Sequence, residues 1–335
     1  MTTTTAMPDR CPQRWWWTIA RWLLLLALLL FFARSGHLGG VFAALRQAEP
    51  GRIGLALLLG GIMLVIRTAK WWALLRRVLP CLPLTYAWYS LLSGMALGLL
   101  TPGRIGEVGR AAAFPPGARL AVGGLFLVDR SADAAAIAMA AGFGTAAVAP
   151  PVWRGWLVLA GLSAGGLVLA LPVVVPAVLR WERLPEPARV RLETLAAAFA
   201  ALRQRDVAVN LLASSVLTAL DALSLYVLAC AFEPVAFAAV AFAFPWILLT
   251  NLVPITPAGL GVREGTAAAL LHTCGVQVAT AVNATLLLFV INSVLPALFG
   301  WRYLGQHTPV SSGYQLEKPI GGAEASPTPP TAYRH

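Results

Sequence analysis

"LLTPGRIGEVGR" at 99–110 and "NLVPITPAGLGVREG" at 251–265 are the two stretches on which the fold turns. Each interrupts an apolar run with a Thr-Pro pair, then glycines, then charges. Proline lacks a backbone donor and clashes with the preceding turn, so a helix does not run on through it, and glycine permits a reversal. The apolar runs ahead of the breaks are 85–100 and 236–255. The first is 16 residues long, whereas crossing a bilayer core of about 30 Å takes roughly 20. Both stretches read as hairpins that enter the membrane and return to the side they came from.

Composition requires the membrane. Hydrophobic residues make up 59% of the 335 and charged residues 12%, about half the charged share of soluble proteins. Further apolar runs at 15–33, 52–66, 119–149, 156–179, 207–230 and 280–301 supply six spans. The first follows Arg14 and meets no small-residue cleavage site, so it reads as a retained anchor. The net charge of +11 falls in the gaps between runs, which is the positive-inside pattern and argues against a nucleic-acid partner. Segment 67–84 holds Arg67, Lys70, Arg76 and Arg77, and 180–206 holds six arginines; both are expected in the cytoplasm. Loops 150–155 and 231–235 carry one charge each and are expected outside. An odd number of crossings must separate 67–84 from 150–155, which two full spans at 85–100 and 119–149 would violate. A re-entrant 85–114 repairs the parity, and 236–275 behaves likewise from the outside.

The fold class expected is therefore an all-α polytopic membrane protein, an inverted-repeat bundle of about six spans plus two re-entrant helical hairpins; eight full spans is the alternative. The breaks lie 155 residues apart, and Thr101-Pro102-Gly103-Arg104-Ile105-Gly106 aligns with Thr256-Pro257-Ala258-Gly259-Leu260-Gly261. Such inverted repeats, with discontinuous helices meeting near the midplane, build many transporters. Residues 1–14 form a cytoplasmic N-terminus and 15–305 the transmembrane domain. Its repeats are about 15–149 and 156–304, with a linker at 180–206 whose part 188–203 reads as a surface helix. Residues 306–335 form a polar, Pro-rich tail expected to be disordered. Both termini face the cytoplasm of the inner membrane.

Charged side chains at membrane depth cost several kcal/mol and mark sites. They occur here at Arg104, Glu107 and Arg110; at Asp129, Arg130 and Asp133; at Arg263 and Glu264; and at Asp221. Four arginines against five acids can pair, and Glu107/Arg110 and Asp129/Asp133 have the spacing of a shared helix face. Arginine forks could hold a lipid phosphate where the hairpins meet, with a carboxylate resetting the site; the other reading is structural salt bridges. Asp221 reads as a satisfied buried acid. Pro102, Gly103, Gly106, Pro257, Gly259, Gly261 and Gly265 are the candidate hinges. The tryptophan clusters read as interfacial belts. No ATP-binding loop occurs, and neither the four cysteines nor the four histidines have metal-ligand spacing, so no metal and no cofactor are expected.

At "AKWWALLRR", "LTPGRIGEVGR", "LVDRSAD" and "ITPAGLGVREG" the chain resembles the lysylphosphatidylglycerol synthase transmembrane-region family over roughly 15–305. The resemblance implies a flippase-like domain. Its motif positions fall on Pro102, Gly103, Arg104, Gly106, Glu107, Arg110, Asp129, Arg130, Pro257, Gly259, Gly261, Arg263, Glu264 and Gly265. Bifunctional members carry a soluble aminoacyl-transferring domain after the membrane part. Here about 30 residues follow the last span, so lysine transfer is not expected. The expected function is movement of a lipid, anionic phospholipid or polyprenyl- or hopanoid-type, between leaflets, by a chain that is not itself an enzyme. A membrane-embedded enzyme or an accessory subunit acting on lipid-linked substrates is the alternative. Membrane lipids are the expected partners, with a homo-oligomer or a lipid-modifying enzyme left open.

Overall fold

A computed structural model describes residues 48–101, 104–179, 196–250, 259 and 261–304. The span expected at 15–33, Pro102, Gly103, Pro257, most of the 180–206 linker and the tail lie outside the described residues.

Those described form an all-α bundle. Helix α1 is Pro50–Val78 and α2 is Leu84–Leu100. A 3₁₀ helix, Ile105–Ala113, leads into α3, Pro116–Val148, and α4, Pro151–Leu179. Then come α5, Gln204–Ala229, α6, Phe237–Thr250, and α7, Val262–Thr273. The last span is α8, Val278–Phe289, joined by a π turn, Val290–Val294, to α9, Leu295–Trp301. Prolines open α1, α3 and α4, where a helix has no use for the missing N–H. Helix α2 stops at Thr101, extended at φ −112, ψ 142, as the residue before a proline prefers.

Among the described residues, five helices are long and apolar enough to cross a membrane: α1, α3, α4, α5 and the continuous stretch Val278–Trp301. At 1.5 Å per residue α2 reaches only about 25 Å, short of the roughly 30 Å core, and the described part of α6 covers about 21 Å. Element order recurs at the sequence offset of 155. Shifted by that amount, α1, α2, the 3₁₀ helix and α3 overlap α5, α6, α7 and α8–α9 in the same order, though their ends do not coincide.

Segment 67–84, expected to be a cytoplasmic loop, is instead helical to Val78. No proline or glycine interrupts 62–79; Arg67 and Lys70 pair with Asp221, Asp129 and Asp133 inside the bundle, while Arg76 and Arg77 stay exposed. Trp71 is fully buried and belongs to no interfacial belt, while Trp153 and Trp156 stay exposed. Of the expected surface helix, 196–200 is helical; Phe199 and Leu202 pack into the core.

Two apolar clusters fill the bundle. One gathers Trp71, Leu74 and Leu75 of α1 with α2, α3 and the start of α5. The other gathers Ala56, Leu59 and Met63 of α1 with most of α5, α6, α7 and α8. They share α1 and α5, and between Met63 and Trp71, and between Leu211 and Leu225, those two helices carry polar side chains.

Candidate functional site

The spacing of the first break explains its structure. Arg104, Glu107 and Arg110 recur every third residue, and so do Gly106 and Gly109. A 3₁₀ helix has three residues per turn, so side chains at i and i+3 eclipse one another. The segment thus has a charged edge and a glycine edge. The glycine edge lies on α2: a Cβ at Gly106 would run into the Leu97 carbonyl, and one at Gly109 into the Leu97 side chain. Helix α2 answers with Gly94 and Gly98, where a Cβ would meet Arg110 and Glu107. Small residues four apart let backbones in a membrane approach closely. The chain therefore folds back along α2, and its nine residues exceed the usual 3₁₀ run because packing supports them.

Arg104 begins this segment at φ 58, ψ 24, the positive-φ non-glycine among the described residues. Such strain on a non-glycine residue gathers at functional sites.

The charged edge enters the seam between the two apolar clusters. Arg110 is 2% exposed, held between the rings of Trp71 and Phe126 at 4.8 Å each. Its Nη1 donates to Asp129 Oδ2 at 3.2 Å and its Nη2 to Glu107 Oε2 at 3.0 Å. Trp71 Nε1 donates to Ser90 Oγ, which donates to the Arg110 carbonyl. Glu107, 1% exposed, is also met by Arg104 Nε at 3.1 Å and by Arg130 Nη2. Arg104 Nη2 reaches the π turn, donating to Ser293 Oγ at 3.2 Å.

Across the seam, Lys70 Nζ lies 3.1 Å from Asp129 Oδ1 and 2.5 Å from Asp133 Oδ1. It donates to Ser214 Oγ at 2.9 Å, and that hydroxyl donates to Asp133 at 2.8 Å. Asp221 accepts from Arg67 at 3.0 Å and from Asn292 of the π turn at 2.7 Å. π turns concentrate at functional sites, and this one presents Asn292 and Ser293 to the network.

These groups line a cavity of about 130 Å³, roughly ten times the 10–15 Å³ that one water requires. Its basic residues are Arg67, Lys70, Arg104, Arg110 and Arg130, and its acids Glu107, Asp129, Asp133 and Asp221, leaving one formal positive charge in excess. Among the described residues no group of three His, Cys, Asp or Glu could hold a metal ion.

Six of the eight expected site residues meet here. Arg263 and Glu264 do not line the cavity. Arg263 Nη2 donates to the Thr285 carbonyl at 3.0 Å, and its guanidinium lies 4.8 Å from the Phe289 ring. Glu264 accepts from the Gly261 N–H at 2.6 Å, capping α7. The two hairpins do not pool their charges. Gly259 at φ 72 and Gly261 at φ 83 need glycine's freedom, Gly106 is required by close approach, and Gly265 lies within α7 with open space around it. Lys70, Arg67, Ser214 and Asn292 join the site unforeseen. The signal available for the first two was an unbroken helix-forming run through 67–78.

A family model described as the lysylphosphatidylglycerol synthase TM region matches residues 18–300. No curated protein matches the chain.

Proposed function

Because the chain belongs to the lysylphosphatidylglycerol synthase transmembrane-region family, we propose that it carries a lipid between the leaflets of a membrane, its headgroup passing through the cavity at the seam. It is a multi-pass membrane protein of a lipid-related family. The observation that carries the finer reading is a cavity between membrane-spanning helices lined by five basic and four acidic side chains. Ionisable groups are expensive at that depth, and an excess of one cation suits an anionic headgroup, whose phosphate oxygens arginine forks hold in a bidentate way. In this reading α2 with the 3₁₀ helix, and α6 with α7, are re-entrant hairpins of an inverted repeat. The membrane is the inner membrane and the termini are cytoplasmic. The chain transports and performs no covalent chemistry.

The test is leaflet exchange of labelled phospholipids by the purified protein in proteoliposomes. Arg104→Gly suits the φ of 58 and should leave the fold intact while removing a fork. Exchange should fall about tenfold or more in Arg104→Gly and in Glu107→Gln, the scale of one lost charged hydrogen bond. Absence of exchange by the native protein with anionic, zwitterionic and polyprenyl lipids alike would overturn the reading.

A further inference from the structure

The arrangement around Glu107 is unbalanced in a particular way. Three arginines converge on one carboxylate, and they are not equivalent. Arg110 is buried, stacked between two rings, and shared with Asp129. Arg104 and Arg130 have side chains 31% and 38% exposed, while Glu107's is 2%. The two more open forks therefore share the buried carboxylate with Arg110, and all four groups line the cavity. Each guanidinium has five N–H donors, and the contacts of Arg104 and of Arg130 engage two nitrogens each. Guanidinium N–H donors make the same charge-assisted hydrogen bonds to phosphate oxygens as to carboxylate oxygens, so groups that hold this carboxylate can hold a phosphate in its place. Gly98 beneath Glu107 keeps that carboxylate in place, since a Cβ there would strike its Cγ.

We propose that Glu107 is a resident counter-ion occupying a phosphate site formed by Arg104 and Arg130, and that the phosphate of an entering ligand displaces it from those two forks onto Arg110 alone. The proposal rests on the transport reading for the lipid character of the ligand, but not for the phosphate chemistry. Glu107 then competes with the ligand instead of gripping it. Binding sets the carboxylate aside, and its return to the two forks expels the phosphate. A site that holds its own anion does not stand as naked charge inside a membrane, where uncompensated ions cost most, and it releases what it binds.

The test is binding to the purified full chain in detergent, with inorganic phosphate and short-chain dihexanoyl phosphatidylglycerol as probes. Glu107→Gln, which loses transport, should bind phosphatidylglycerol about tenfold tighter than the native protein, as expected when one competing charge at contact is removed. Arg130→Gln should bind about tenfold weaker. Glu107→Asp keeps the charge but draws the carboxylate back from Arg104 and Arg130, so it should shift affinity in the same direction as Glu107→Gln. It covers the case in which the amide variant fails to fold. Glu49→Gln also removes an acid, but an exposed one paired with Arg52 at the start of α1 and outside the cavity, and should leave affinity unchanged. Tightening for phosphatidylglycerol alone assigns the site to a lipid headgroup; equal tightening for inorganic phosphate assigns it to the phosphate itself. Weaker or unchanged binding in both Glu107 variants, or equal tightening in Glu49→Gln, overturns the proposal. Tightening without any leaflet exchange by the native chain keeps the counter-ion and discards transport. Exchange without tightening does the reverse.

Discussion

Lys70 joins two carboxylates of one helix face. Asp129 and Asp133 are four residues apart on α3 and both contact its Nζ, so they sit as neighbours with one cation between them. Removing that cation leaves like charges facing each other out of water. Lys70→Met should destabilise the protein by about 3–5 kcal/mol, as for other broken buried pairs, and adding Asp133→Asn should recover part of the loss. Thermal unfolding of the detergent-purified protein checks this; an unchanged midpoint for Lys70→Met would mean that the pairing contributes nothing. Charge at membrane depth was enough to single out Arg104, Glu107, Arg110, Asp129, Arg130 and Asp133 from sequence. The same rule missed Arg67 and Lys70, because counting basic residues assigned them to a cytoplasmic loop. A charge reads as solvated until its partner is known, and the partners of these two, Asp129, Asp133 and Asp221, lie far along the chain in α3 and α5. Ser214 and Asn292 carried no signal at all, since uncharged polar residues in apolar helices are common.

At the scale of elements, the reversal after α2 depends on backbone proximity more than on hinge flexibility. The Thr-Pro-Gly break was legible as the end of a helix, and the shortness of α2 followed from its 16-residue apolar run. The 3₁₀ helix was not foreseen, although glycines and charges at every third position spell its period. Gly106→Ala would press a methyl onto the Leu97 carbonyl, a backbone atom that cannot swing aside. It should cost about 1–3 kcal/mol and push the charged edge out of register, so exchange falls as well. Gly123→Ala on α3 meets open space and, by helix propensity, should be neutral or stabilise by up to about 1 kcal/mol. Paired unfolding curves separate the two; equal midpoints would show that the close approach is not required. The second hairpin has no such charged edge. Its Arg263 and Glu264 bond to Thr285 and to the start of α7, so a repeat in element order carries an asymmetry in chemistry.

For the molecule as a whole, re-entrant hairpins dictate which loops share a side of the membrane. Cys81 and Cys274 are exposed, and Gly117 is exposed at the start of α3. In single-cysteine variants, a membrane-impermeant thiol reagent should reach Gly117→Cys from the same side as Cys81, and Cys274 from the opposite side. Labelling of Gly117→Cys from the opposite side to Cys81 would make α2 a full crossing. The seam between the two apolar clusters has its own consequence. The chain has two lysines, Lys70 and Lys318, and the side chain of the first is 4% exposed within that seam. An acylating reagent in the medium meets its amine only while the clusters stand apart. Lys70 is thus a clock set into the bundle, and the pace at which its peptide gains mass is the pace at which the protein breathes.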